Sequence, residues 1–179
     1  MTWTTPRTWQ VDELVTADLL NTHLRDNLNA LKSPPSQQVV RDNEAAYSTT
    51  STSFVVGDGT NLKITLTTTG GDVLVGFTGT AHADSPSGRQ MSFDVQVDGS
   101  GGWAQDQGYA GGIVTTAIQS TIAQAVGFGP ILITGLSAGV HTFAVQWRMN
   151  AGTGYLHADA DDADYRNEEP VIFWAREVS

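Results

Sequence analysis

The sequence predicts a mostly β protein, in which an N-terminal leader and a single α-helix precede an antiparallel β-sandwich of the jelly-roll-like kind. Three observations carry the prediction: an amphipathic stretch halted at Pro34-Pro35, alternation of apolar and polar residues in successive segments beyond it, and Gly-rich turn signals between those segments. The break divides the chain into residues 1–36, expected to attach and oligomerise, and residues 37–179, expected to form the sandwich.

Thr16 is placed to cap a helix running from Ala17 to about Lys32, with Asp18 in its first turn and Lys32 in its last to suit the helix dipole. Ser33-Pro34-Pro35 ends it, because proline lacks the N–H and restricts the residue before it. Ala17, Asn21, Leu24, Leu28 and Leu31 recur at spacings of four, three, four and three, with Leu20 beside them. That is the spacing of a short coiled coil with Asn21 as its polar layer. A helix this short cannot bury an apolar stripe by itself, so the stripe is expected to meet copies of itself or another protein. Packing on the chain's own β domain is the competing expectation.

In the β part, Leu62, Ile64 and Leu66 alternate with Lys63, Thr65 and Thr67 and stop at Gly70-Gly71-Asp72, after which Val73, Val75 and Phe77 begin the next strand. Met91, Phe93, Val95 and Val97 are assigned inward and Ser92, Asp94, Gln96 and Asp98 outward, with a turn at Asp98-Gly99. Phe143, Val145, Trp147 and Met149 repeat the scheme after a turn at Ala138-Gly139, leaving Thr142, Gln146 and Arg148 outside. Residues 48–53 read as a polar linker or edge segment, and residues 113–128 as one long strand or two short ones. Val171, Ile172, Phe173 and Trp174 are apolar on both faces, so the last strand is expected to be central or covered by another subunit. Ile172 and Trp174 are the candidate protomer contact. About eight to ten strands and no second helix are expected.

Composition narrows the function classes. The 179 residues contain no cysteine, which excludes disulfides and thiolate metal sites. Nineteen acids against nine bases give a net charge of −10, which repels nucleic-acid backbones and anionic membranes. No nucleic-acid partner and no membrane insertion are expected. The leader lacks the pattern of a signal peptide.

No hydrolase, kinase or nucleotide motif is present, and no catalytic residue or enzymatic activity is expected. His23, His82, His141 and His157 are widely separated and read as partly buried or surface residues rather than ligands. Asp159, Asp161, Asp162 and Asp164, with Glu168 and Glu169, crowd one loop. A hard cation such as Ca²⁺ relieves that repulsion, while a solvated acidic loop is the plainer alternative; the spacing is not that of an EF-hand. Trp103, Asp106 and Tyr109 lie in a Gly-flanked loop whose composition suits a glycan: aromatic faces for sugar C–H groups, polar side chains for hydroxyls. Packing against a neighbour is the alternative. Tyr155, His157 and Tyr165 form a second region of that composition.

The leader and helix combine Trp3, Pro6, Trp9, Glu13, Val15-Thr16-Ala17, Leu20-Asn21 and the run His23-Leu24-Arg25-Asp26-Asn27-Leu28 with Leu31. This set resembles the N-terminal segment of bacteriophage and prophage virion proteins, often described as minor structural or tail proteins. The β part resembles, less specifically, the trimeric jelly-roll heads of phage fibres and of the C1q and tumour-necrosis-factor superfamily. The resemblance implies a homotrimeric tailed-phage virion protein on the particle surface, made in the host cytoplasm. It would be anchored to capsid or tail proteins through its N-terminus and carry a β-sandwich outward. Physical chemistry agrees on the leader, since two Trp rings joined through a stiffening proline are costly to leave in water. The sandwich is expected either to bind a host cell-surface glycan or to serve as a purely architectural decoration of head or tail. A polysaccharide depolymerase, needing paired acids such as Asp94 and Asp106, is the remote alternative.

Overall fold

A computed structural model describes residues 4–85, 88–118, 123–159 and 170–178. The expected helix spans Ala17 to Lys32 in three pieces: α1 (Ala17–Leu20), a π-helical turn (Asn21–Asp26) and α2 (Asn27–Lys32). Thr16 caps it as expected, its Oγ1 accepting from Leu19 N–H at 3.3 Å. The π turn corrects the expectation of one uniform α-helix. Just after it the Asn27 side chain donates back to the His23 carbonyl at 3.3 Å, and wider turns of this kind shift the register of the ladder.

Eleven strands follow among the described residues: β1 (Ser36–Arg41), β2 (Asn43–Thr49), β3 (Val55–Val56), β4 (Lys63–Thr68), β5 (Gly71–Ala83), β6 (Arg89–Val97), β7 (Val114–Ile118), β8 (Gln124–Leu136), β9 (Gly139–Met149), β10 (Gly154–Asp159) and β11 (Val171–Val178). A short helix, α3 (Trp103–Asp106), interrupts them, against the expectation of no second helix. Residues 113–128 resolve the open alternative as two strands, β7 and the start of β8. The polar stretch 48–53 divides between the end of β2 and the irregular chain before β3.

The strands form two antiparallel sheets. In sheet A, β5 pairs with β8 along one edge and, along the other, first with β11 and then with β10; β1 lies outside β11 and β2 outside β10. Sheet B has the order β3-β9-β6-β7, with β4 also paired to β9. The chain crosses between the sheets after β2, β4, β5, β7, β8 and β9, and the inward faces of the two layers close one core. Phe77, Phe93, Phe143, Trp147 and Phe173 fill it, all essentially without solvent access. Phe77 lies between Phe93 and Phe128, at ring-centroid distances of 5.1 and 5.6 Å.

Alternation succeeds as expected in β4, where Ile64 and Leu66 are buried and Lys63, Thr65 and Thr67 exposed. The last strand is central, between β1 and β5, which accounts for its apolar character. Its residues Val171, Phe173 and Ala175 face the core. Three outward assignments need correction: Asp94 is completely buried, Ser92 is 5% exposed and Gln146 is 6% exposed. They point away from the core as their positions require, but residues 101–112 return over that face of sheet B and cover it. Gly102 bridges to Gln96, and Ile113 N–H donates to Phe93 O at 2.9 Å.

Candidate functional site

The N-terminal leader and helix are organised around Asn27, which is 5% exposed on a helix whose other described residues are more open. Its Oδ1 accepts from Thr4 N–H at 2.9 Å and its Nδ2 donates to Thr4 O at 2.8 Å, a two-way amide clasp that folds the leader back along the helix. Between these ends Arg7 pairs with Glu13, and the Glu13 carboxylate also accepts from Gln10 N–H at 3.0 Å. The Arg7 guanidinium sits 5.0 Å over the Trp9 ring, and Trp9 meets His23 edge-on at 6.4 Å. Pro6 is exposed in the same leader, whereas Trp3 lies outside the described residues.

The helix stripe has no cover of its own. Leu20, Leu24, Leu28 and Leu31 are 41%, 52%, 63% and 54% exposed, Ala17 is also exposed and Asn21 half-buried. Among the described residues, no strand packs substantially against the helix. Val11 and Leu14 of the leader are more exposed still. Clustered apolar exposure on this scale marks an interaction surface.

Sheet A presents a second apolar stretch on its outer face. Register places Gln38, Trp174 and Gly76 in one row and Val40, Ile172 and Thr78 in the next. The Trp174 indole lies flat over the Gly76 backbone, where a Cβ would come within 2.6 Å of Cε2, so only glycine admits the ring. Ile172 and Trp174 remain half-buried, with Val40 and Leu132 each 44% exposed on the same sheet.

The candidate recognition loop is built by Asp94. Both its oxygens face backbone donors: Oδ1 accepts from Val95 N–H at 2.8 Å and Ala104 N–H at 3.0 Å, and Oδ2 from Gln105 N–H at 3.2 Å. The carboxylate thus caps α3 from below, a role sequence spacing does not reveal because the cap comes from another strand. Burial pushes the Asp94 carboxyl up, and the three N–H donors offset this only in part. Gly102 is required at the entry, since a Cβ there would collide with Asp94 Oδ2. Trp103 packs half-buried on the core, while Asp106 and Tyr109 are exposed, Tyr109 at 66%. Asp94 and Asp106 therefore do not face a common space: one is sealed against backbone and the other open to solvent.

Two histidines that sequence separates are brought together. His82 of β5 and His157 of β10 are both buried, with Nδ1 and Nε2 2.5 Å apart, and Tyr155 stacks on His82 at 4.6 Å. The pairing of β10 with β5 brings these residues into neighbouring rows, information absent from local spacing. Asp161, Asp162 and Asp164, proposed as Ca²⁺ ligands, and Tyr165 lie outside the described residues, as does the side chain of Asp159, whose backbone ends β10. Among the described residues, no group of three or more His, Asp or Glu is placed to hold a metal ion. No described helix is long and apolar enough to cross a membrane.

No protein-family model matches the chain, and no curated protein matches it. Solved structures of infectious bursal disease virus are similar in trace. The Gt strain structure aligns with 82% of this chain and 38% of its own, at 10% identity and a TM-score of 0.44. The VP2 subviral particle aligns with 82% of this chain and 37% of its own, at 10% identity and a TM-score of 0.40. The chain spans less than two fifths of the length of these structures.

Proposed function

We propose that this chain is a structural protein of a tailed-phage virion, a homotrimer fixed to capsid or tail proteins by its N-terminal module and carrying the acidic sandwich outward at the particle surface. The observation that carries the assembly is the uncovered Leu20, Leu24, Leu28 and Leu31 stripe, held beside a leader that Asn27 clasps in place. An apolar surface so arranged is ready to meet like helices without first ordering the leader, which reduces the entropic cost of association. The phage assignment draws on the resemblance of residues 3–31. The half-buried pair Ile172 and Trp174 supplies a further protomer contact on sheet A. At the outward end, the loop bearing Asp106 and Tyr109 meets a host-surface glycan, and three copies raise the avidity of a weak site.

Deleting residues 1–15 tests the anchor. The truncated protein is expected to fold, because no described residue of the leader belongs to the core, and to be missing from purified particles. Normal incorporation refutes anchoring by the leader. Adsorption of the intact protein to host cells separates recognition from decoration, and a protein that assembles into particles but never adsorbs is architectural only.

A further inference from the structure

The outer face of sheet B carries a pocket that neither the core nor the attachment module uses. Thr52, Gln90, Ser92, Thr115, Arg148 and Asn150 line a cavity of about 390 Å³, within the range of small-ligand sites. Gly111 forms part of its rim, two residues beyond the exposed Tyr109.

Arg148 sets the chemistry. Arg7, Arg25 and Arg89 each pair with a carboxylate, at Glu13, Asp26 and Asp84. Arg148 instead donates through Nη2 to Ala110 O at 2.9 Å and lies 4.9 Å over the Phe54 ring. These contacts fix the guanidinium and leave its charge without an anion among the described residues. A planar fork held in place recognises a carboxylate by paired hydrogen bonds. A single such cation in a chain of net charge −10 suits a monoanion better than a dianion such as phosphate.

The hydroxyls beside it have defined roles. Thr115 Oγ1 donates to Gly111 O at 3.1 Å, so the 2.9 Å contact between Ser92 and Thr115 has Ser92 as its donor. Ser92 Oγ then keeps its lone pairs for an incoming hydroxyl. The Asn150 amide is committed on both atoms, to Gln90 N–H at 2.9 Å and Gly88 O at 3.0 Å, and serves as a wall. The side chains of Gln90 and Thr52 complete the rim with donor and acceptor capacity.

We propose that this pocket binds an acidic sugar residue, Arg148 taking its carboxylate and Ser92, Gln90 and Thr52 its hydroxyls. The proposal rests on the recognition part of the function above and names the ligand class. Amide and Arg side-chain nitrogen–proton correlation spectra of the full chain, titrated with methyl β-glucuronide and separately with the neutral methyl β-glucoside, test it. Shifts are expected at Gln90, Ser92, Thr115 and Arg148 Nε–H with the glucuronide. They should need at least about tenfold more glucoside, and added salt should weaken the glucuronide response. Arg148→Gln should abolish binding. Because Arg148 also holds the Ala110 carbonyl, Gln90→Ala, which leaves that contact intact, should weaken it several-fold with the charge in place. No response to glucuronide, an equal response to both sugars, or shifts confined to another surface each overturn the proposal. Mass measured on the same sample keeps the two claims apart. A trimer without shifts sinks the sugar site alone, whereas shifts on a single chain refute the assembly and leave the site standing.

Discussion

Asp98 and His141 lock the turn after β6 to the start of β9. His141 Nδ1 lies 2.7 Å from Asp98 Oδ2 and Nε2 2.9 Å from Ser137 O, while Asp98 Oδ1 accepts from Thr142 N–H at 2.7 Å. The Asp98 hydrogen bond, aided by the Ser137 carbonyl, raises the His141 pKa. Partial burial pushes Asp98 upward, yet the His141 and Thr142 donors together leave its pKa lowered. The raised imidazole contributes fully below its unfolded value of about 6.5 and loses that contribution as pH rises through the folded value. The lowered carboxyl contributes above its unfolded value of about 3.9 and loses it as pH falls through the folded one. The pair therefore stabilises most between about pH 4 and about pH 6.5. His141→Gln is expected to lower the melting temperature most near about pH 6 and progressively less as pH rises through the raised value of the folded imidazole. The difference should be on the order of 1 kcal/mol or less, because the Asp98 side chain is 45% exposed. An equal cost across that rise in pH contradicts the ion pair. The Asp98-Gly99 turn is legible in the sequence, but its partner lies 43 residues away and is delivered by strand register. Asp94 teaches the same lesson. Alternation correctly sends it away from the core, and nothing periodic reports that residues 101–112 come back over it.

Among the elements, the helix combines what sequence reads well with what it reads poorly. Its ends follow from the Thr16 cap and Pro34-Pro35, which are local chemistry. At the end of the π turn (Asn21–Asp26) the Asn27 amide reaches both the His23 carbonyl and Thr4, and no residue pattern announces those contacts. The turn rotates the residues before it relative to those after, so the four-three-four-three spacing does not map onto one straight seam. Leu24 lies within that turn and is 52% exposed, which makes it the most direct probe of the seam. Leu24→Asp places a charge where apolar contact is required while leaving the single chain's core untouched. Light scattering should show the mass falling from three chains towards one with the melting temperature of the sandwich unchanged. A retained trimer assigns assembly to the strands instead.

For the whole molecule, charge and apolar exposure divide at the same place. Residues 1–33 hold four acids and three bases, a net −1, which leaves −9 of the total −10 on residues 34–179. The core lies wholly between Leu62 and Ala175, and the link into β1 is fixed by Glu177 N–H donating to Pro35 O at 2.8 Å. Removing residues 1–33 spares that bond and every core side chain, so the remaining sandwich is expected to melt in one cooperative transition within a few degrees of the intact protein. Its assembly should weaken sharply, because three sandwiches of net −9 repel one another once the helical stripe is gone. What attraction remains must come from the outer face of sheet A, through Ile172, Trp174 and Leu132. That face opposes the charge, and salt decides between them: raising ionic strength screens the repulsion and should restore trimer to the truncated protein. Sedimentation at low and high salt measures this. A truncated protein that stays a single chain at every salt concentration assigns assembly to the helix alone. One that stays trimeric even at low salt assigns it to the sheet.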